Sequence, residues 1–396
     1  MAHHDVTRPA PRQHTASDAA HRHLASLLAL ADVRLDGSRP WDIHLLAHGV
    51  PERVLAHGNL GLGESYMDGL WTCERLDQLF DRLLRSDIAS RVRSLSTAWH
   101  HLRARWLNLQ TEHRAWQVGR QHYDLGNAFY AAMLDRRMTY TCAFWGDASS
   151  GAPDLDTAQE HKLELVCQKL GLQAGMHVLD IGCGWGSFMK YAAERHGVRC
   201  TGVTISAQQA ALGRTLCKGL PVTFELMDYR QLNTRFDAIV SLGMFEHVGQ
   251  KNHGVYMDVV KRCLAPDGLF LLHTIGRNEA GHGTDPWIHK YIFPNGELPT
   301  IAQIGQACER RFVVEDLHNF GADYDRTLMA WHERFEAAWP RFAEQLGERF
   351  HRMWRYYLLS CAGAFRARDV QLWQWVLSHP GRPGVYPRIS TPRLTS

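Results

Sequence analysis

The stretch VLDIGCGWGSF at residues 178–188 limits what this chain can become more than any other. An apolar run closes on an acid, Asp180, and glycines follow at Gly182, Gly184 and Gly186. Glycines so placed let the backbone turn sharply and approach a ligand with no Cβ in the way. The flanking sequence alternates in type. MHVLDIG, RCTGVTIS, VTFELMD and FDAIVSLG read as strands, and SFMKYAAERHG, AQQAALGRTLCKG and NHGVYMDVVKRCL as the helices between them. EHKLELVCQKLGL is a preceding helix closed by Gly171, and LAPDGLFLLHTIG a turn and strand. RRFVVEDLH is a later strand. A long helical stretch rich in Trp and Phe, LMAWHERFEAAWPRFAEQLGERFHRMWRYYLLSCAGAF, then leads to a last strand near DVQLWQWVLS. The pattern predicts an α/β fold with a doubly wound sheet, whose ligands gather beyond the carboxyl ends of the strands.

Spacing narrows the ligand. A dinucleotide loop wants G-x-G-x-x-G and an acid about 20 residues on. Here the spacing is G-x-G-x-G, and the second strand ends in GVTIS, with Thr204 and Ser206 where that acid would stand. The form fits S-adenosylmethionine, which has no pyrophosphate for a helix N-terminus to hold. Asp180 is placed to bind the cofactor's ammonium, directly or through water. Asp228, after the third strand in LMDYR, is placed to accept from the adenine amine.

Composition excludes several alternatives. Lys and Arg total 44 against 41 Asp and Glu, a net charge of +3, too balanced for bulk nucleic-acid binding. Nine scattered cysteines form no C-x-x-C, so neither a disulfide framework nor a metal site is expected, and a reducing, cytoplasmic compartment fits. The first residues lack the apolar core of a signal peptide, and no run of about 18 apolar residues occurs. Residues 1–20 and 379–396 read as disordered tails. Between residues 21 and 110 lies a smaller, mainly helical unit with a linker helix. From Val92 onward, Val92, Leu95, Trp99, Leu102, Trp106 and Leu109 form a stripe on one helix face, and Arg91, Arg93, Arg103, Arg105, Arg114 and Arg120 are opposed in charge only by Glu112. Such a helix either packs its stripe on a neighbour or lies on anionic lipid. Residues 115–378, which carry the glycine loop, are expected to form a second, larger domain.

Four further segments bear on chemistry. MTYTCAFW (138–145) precedes the sheet, SLGMFEHVG (241–249) follows the fourth strand, LLHTIG ends the fifth, and GADYD carries Tyr324. Cys142, Glu246, His273 and Tyr324 in one pocket would suit acid–base or anion chemistry. Individually, His273 reads more readily as a satisfied core histidine and Cys142 as a small buried hydrophobe. Glu246 is harder to explain as packing, because a carboxylate beside Met244 and Phe245 is costly to bury without a partner.

The stretches LGLGESYMDGLW, HYDLGNAFY, MTYTCAFW, VLDIGCGWG, VTIS, GMFEHVGQKN, LLHTIG, DPWIHKYIFPNGELP, HNFGADYDRTLMAW and CAGAFRARD span roughly residues 25–375. Through them the chain resembles the bacterial cyclopropane-fatty-acyl-phospholipid synthases of the mycolic acid cyclopropane synthase superfamily. The resemblance implies a seven-stranded, Rossmann-like methyltransferase sheet with an N-terminal lipid-binding domain. It implies methylene transfer from S-adenosylmethionine to the cis double bond of a phospholipid acyl chain. It places the cofactor against Tyr140, Thr141, the glycine loop, Thr204, Ile205, Gln209, Asp228 and Tyr229. It places a bicarbonate ion against Cys142, Glu246, His273, the backbone of Ile275, and Tyr324. It marks Cys361 as catalytic, although LLSCAGAF reads as packed helix and a thiolate has no step to perform on an unactivated alkene. It implies a homodimer in peripheral contact with the inner face of the membrane. Thr141 stands where Ser is usual, Ser187 where Gly is common, and Phe144 where Tyr is frequent.

The chemistry is coherent. An alkene is a feeble nucleophile, so its partner must be a strong electrophile in a dry slot, where water would otherwise quench the carbocation. The faces of Tyr140, Phe144, Trp145 and Tyr324 could steady that charge. Ring closure needs a fixed base for one proton. Two alternatives use the same scaffold: a methyltransferase making a methyl-branched lipid or acting on an amine, and a non-catalytic lipid carrier.

Overall fold

The computed structural model describes residues 16–86, 126–146, 151–280 and 283–393. The arginine-flanked stripe at residues 91–120 lies outside them. The N-terminal unit comprises helix α1 (Ala16–Ala29), strand β1 (His44–Leu45), helices α2 (Val50–His57) and α3 (Asn59–Met67), strand β2 (Trp71–Thr72) and helix α4 (Leu76–Arg85). Leu76, Leu79, Phe80 and Leu83 recur at helical spacing and put one face of α4 inward, with Tyr66 and Trp71 beside it.

The rest of the chain continues with α5 (Asn127–Met133) and α6 (Leu155–Lys169). Asp154 starts α6 by accepting from Thr157 N at 2.8 Å. Strand β3 (His177–Ile181), helix α7 (Ser187–His196), β4 (Arg199–Thr204), α8 (Ala207–Leu216), β5 (Val222–Leu226) and β6 (Phe236–Leu242) follow. Then come α9 (His253–Cys263), β7 (Leu264–Arg277), α10 (Pro286–Tyr291), α11 (Ile301–Cys308) and β8 (Val313–Asn319). The chain closes with α12 (Ala322–Ala338), α13 (Ala343–Arg366) and β9 (Val370–Ser378). The seven-stranded sheet has the order β5-β4-β3-β6-β7-β9-β8. β9 runs antiparallel to both β7 and β8, while β3 to β7 pair in parallel. Strand order reverses between β3 and β6, so their carboxyl ends form the topological switch point where ligands bind in such sheets.

Two features differ from the pattern in the sequence. The long Trp-rich stretch is two helices, parted by a turn at Pro340, and α13 bends again at Gly347 (φ 73°). Residues 379–393, expected to be a loose tail, run along the body. Arg382 donates to Asp267 O at 3.0 Å, Arg388 pairs with Asp316 at 3.2 Å, and Arg393 N donates to Gln168 Oε1 at 2.9 Å.

Helix α13 joins the two units. Arg352 donates to the backbone of Tyr66 and of Trp71, and Arg366 bridges Asp77 (2.6 Å) and Asp325 (2.8 Å). Gly363 makes the close approach possible, since a Cβ there would lie 2.7 Å from Asp77 O.

Candidate active site

The glycine loop is built from unequal parts. A Cβ on Gly182 would meet Met244 at 2.6 Å, and one on Gly186 would meet Phe224 at 2.5 Å, so these two glycines serve packing. Gly184 (φ +53°) has nothing within 4 Å of that position and leaves the loop's backbone open to a ligand. Asp180, at the end of β3, is buried. Loss of water pushes its carboxyl up to about 7, against the pull of the Lys162 ammonium. Lys162 is itself fully buried, is pushed down to about 8, and donates to Thr141 Oγ1 at 2.7 Å.

The other expected cofactor residues gather nearby, tied to one another. Thr204 Oγ1 donates to Gln209 Oε1 at 3.2 Å and accepts from Ser206 N at 3.1 Å, with Ile205 half-buried between them. Asp228 Oδ1 accepts from Arg230 N (2.9 Å) and Nε (2.7 Å), and its Oδ2 accepts from Arg230 Nη2 (2.6 Å). Oδ2 keeps a further lone pair for a ligand donor. Tyr229 packs its ring 5.1 Å from that of Tyr256. Trp185 within the loop packs at a tilt against Tyr130 (5.2 Å) and donates to Asn127 Oδ1 (2.9 Å). Tyr140 lies between Tyr130 (5.3 Å) and Trp331 (5.2 Å), and its hydroxyl meets that of Tyr357 at 3.0 Å.

The second half of the site is set by how residues 138–145 cross the end of β6. Gly243 N donates to His273 O at 2.9 Å, and a Cβ on Gly243 would lie 2.8 Å from Thr141 Cγ2. Thr141 therefore sits directly against the β6–β7 end, with Cys142 next to it. Helix α12 covers this segment, with Thr327 Oγ1 accepting from Ala143 N (3.1 Å) and Trp145 Nε1 (3.0 Å). Tyr324 is one turn before Thr327, edge-on to Trp331 at 5.9 Å and 4.6 Å from the ring of Phe365. Burial raises its phenol, reinforced by Cys142, Tyr140, Glu246 and Cys361.

Glu246 reaches β7 from the turn after β6. Its Oε1 accepts from Ile275 N at 2.7 Å, while its Oε2 is buried without a partner. The Ile275 amide, expected to face an ion, thus holds Glu246. Desolvation pushes the Glu246 carboxyl up to about 7. His273 is fully buried, and its Nε2 also lacks a partner. Burial, with the charges of Lys162 and Lys169, drives its pKa well below the usual range, so the ring is neutral. The thiol of Cys142 is fully buried and strongly raised by that burial; it donates to Ala143 O at 3.2 Å. Cys361, on α13, is pushed up to about 12 by burial and is a protonated thiol at neutral pH.

Phe144 and Trp145 occupy places other than those expected. Phe144 packs on Phe320 (5.5 Å) and His318 (5.9 Å). Trp145 carries the Arg326 guanidinium over its ring at 4.6 Å, which disfavours a second cation there. Trp331 and Tyr357 stand beside Tyr140 and Tyr324 instead. Lys162, Lys169 and Gln374 were not singled out from the sequence. Their signal was a polar residue within a helix or strand that turns out to be buried on every side.

The buried atoms without partners include Glu246 Oε2 and His273 Nε2, and both belong to this half of the site. Buried polar groups are normally paired, so an unpaired carboxyl oxygen and a ring nitrogen near the ends of β6 and β7 fit a small polar ligand. A bicarbonate-sized oxyanion meets that requirement if His273 Nε2 and a protonated Glu246 face it as donors. The open edge at Gly184 and the buried Asp180 likewise fit S-adenosylmethionine.

Residues 110–375 match the family model described as mycolic acid cyclopropane synthetase. The cyclopropane-fatty-acyl-phospholipid synthase of Escherichia coli K12 is 54% identical over 359 residues, covering 89% of this chain and 91% of that protein. The solved structure of the cyclopropane synthase MmaA2 from Mycobacterium tuberculosis is similar, with a TM-score of 0.62 and 31% identity. It covers 66% of this chain and 97% of its own. The mycolic acid cyclopropane synthase CmaA1, solved with SAH and CTAB, gives a TM-score of 0.62 at 30% identity, again covering 66% and 97%.

Proposed function

The chain belongs to the mycolic acid cyclopropane synthetase family, and from that premise we propose how its residues carry the reaction. The enzyme is an S-adenosylmethionine-dependent cyclopropane-fatty-acyl-phospholipid synthase, adding a methylene across the cis double bond of an unsaturated acyl chain. S-adenosylmethionine, when bound, supplies an electrophilic methyl on a positively charged sulfur, and bicarbonate an oxygen base for one proton. Tyr140, Thr141, Asp180, Gly182, Gly184, Gly186, Thr204, Ile205, Gln209, Asp228 and Tyr229 would hold the first. Cys142, Glu246, His273 and Tyr324 would hold the second, with the Ile275 amide fixing Glu246.

Methyl transfer to one alkene carbon leaves a cation on the other. The buried rings of Tyr324, Trp331 and Tyr357, with the partly buried ring of Tyr140, exclude water from that cation and turn π faces or edges toward it. A proton then leaves the newly attached methyl, and the C–H electron pair closes the ring. Neutral His273 and protonated Glu246 orient the base as hydrogen-bond donors. Cys361, a protonated thiol, stays a packing residue in this account. The observation that carries the reading is the set of unpartnered polar atoms, Glu246 Oε2 and His273 Nε2, in an aromatic shell beside the glycine loop.

Residues 21–110 are assigned to lipid binding and residues 115–378 to catalysis. The protein works as a homodimer in peripheral contact with the cytoplasmic face of the membrane. Exposed Leu30 and Leu46 on the N-terminal unit support that contact, and no helix among the described residues is long and apolar enough to cross a membrane.

Vesicles of monounsaturated phospholipid, S-adenosylmethionine and bicarbonate test the reading. The expected product gains one CH₂ and no longer takes up hydrogen under mild hydrogenation. A product of the same mass that still takes it up is a methyl-branched alkene and overturns the assignment.

A further inference from the structure

The Gln374 side chain lies against His273 in a strand that has no obvious room for an amide. All nine residues of β9 are buried, and His273 on β7 faces Gln374 in register, with His318 of β8 on its other side. Gln374 Nε2 lies 3.3 Å from His273 Nδ1. A neutral imidazole has one donor and one acceptor nitrogen, so whatever faces Nδ1 decides what Nε2 can do.

We infer that Gln374 is a positioning residue that donates to His273 Nδ1 and so keeps the imidazole proton on Nε2, where it faces the anion. The inference rests on the anion reading of the site. With the amide reversed, its carbonyl would take the Nδ1 proton, and Nε2 would turn a lone pair toward a negative ligand. The surroundings select between the two. Lys169 is fully buried, bonds His318 Nδ1 at 3.0 Å and shares Asp316 (3.6 Å) with Arg388 (3.2 Å), so the cluster on the far side of Gln374 from His273 keeps a net positive charge. A positive charge there favours the amide oxygen on its own side and the NH₂ toward His273. Gln374 Oε1 is unbonded within the protein, so no neighbouring donor pins the amide in the other sense. The same lysine, with Lys162, helps keep His273 neutral, which the tautomer argument needs.

The test is ¹⁵N spectroscopy of histidine-labelled full-length protein without bicarbonate, with the His273 signal assigned by its loss in His273→Asn. Wild type should show Nε2 protonated and Nδ1 as acceptor. Gln374→Glu, which can only accept from a neutral ring, should move the proton to Nδ1. Gln374→Leu, a variant that keeps the strand apolar, should populate both forms. The KM for bicarbonate should rise by roughly 10- to 100-fold in the Glu variant, the range for losing a hydrogen bond to a charged group, with a smaller rise for Leu. The KM for S-adenosylmethionine should stay within about 2-fold in both, since neither substitution touches the glycine loop. Nδ1 protonated in the wild type, or equal losses for both substrates in both variants, would overturn the inference. A wild type indifferent to bicarbonate sinks the anion reading itself. A bicarbonate-dependent wild type with the other tautomer sinks this inference alone.

Discussion

The two halves of the site treat their polar side chains in opposite ways. Around the glycine loop three of the expected cofactor residues are paired within the chain: Thr204 with Gln209, Asp228 with Arg230, Thr141 with Lys162. Around the end of β7, Glu246 Oε2 and His273 Nε2 have no protein partner. The first half is stable as folded and receives its cofactor by adding to bonds already made. The second half carries unpaid desolvation, which only a ligand can relieve. A fold keeps such groups because the chemistry needs them.

The sharpest way to break this contrast is Glu246→Ala. Turnover should fall by about 10³-fold, within the range for lost acid–base function, while S-adenosylmethionine affinity stays within about 2-fold. Isothermal titration beside product counting separates the two; a large loss of cofactor affinity with normal turnover would put Glu246 in the other half.

Glu246→Gln should expose the strain directly. Burial lifts this carboxyl from 4.5 to about 7, so the folded state resists its ionisation. Wild-type stability from this group is therefore intact below pH 4.5 and lost as pH rises toward 7. The amide variant escapes that loss and can still accept from Ile275 N. It should match wild type near pH 4 and exceed it by up to about 3 kcal/mol above pH 7 in anion-free denaturant melts. Equal stability at both pH values would contradict a buried, unrelieved carboxylate.

Gly184→Ala probes the paired half. The left-handed backbone costs an alanine about 1 kcal/mol, and its methyl would point into the open approach to the loop. Cofactor affinity should weaken about 10-fold, with the bicarbonate dependence unchanged. Smallest of all, Cys361→Ser should hold turnover within about 2-fold, because a thiol raised to about 12 is not a nucleophile at neutral pH. A loss comparable with that of Glu246→Ala would place Cys361 in the chemistry.

The halves also differ in how far the sequence revealed them. Strand and helix periods, with glycines at a strand end, made β3, the loop and Asp180 legible, because local patterning dictates local structure there. Glu246 was legible as a carboxylate among Met244 and Phe245. Gln374 was not. VQLWQWVLS shows no alternation, and nothing within it tells that Gln374, set between Trp373 and Trp375, is buried with all of its neighbours. Lys162 and Lys169 read as the wet side of a helix. They are buried because residues 139–144 cross one part of α6, where Gln159 bonds Thr139 O and Thr141 O, and β8 closes another through Asp316. Trp145 was misplaced for the same reason: nothing local foretells that Arg326 covers its ring. Burial produced by distant segments leaves little trace in a single stretch of sequence.

The most direct test of an anion seat is turnover against bicarbonate concentration in carbonate-free, argon-purged buffer, counting ring product on monounsaturated vesicles. The account predicts little ring formation without bicarbonate, a saturable rise as it is restored, and no such rise in Glu246→Ala. Full cyclopropane formation by the wild type with bicarbonate removed would contradict it.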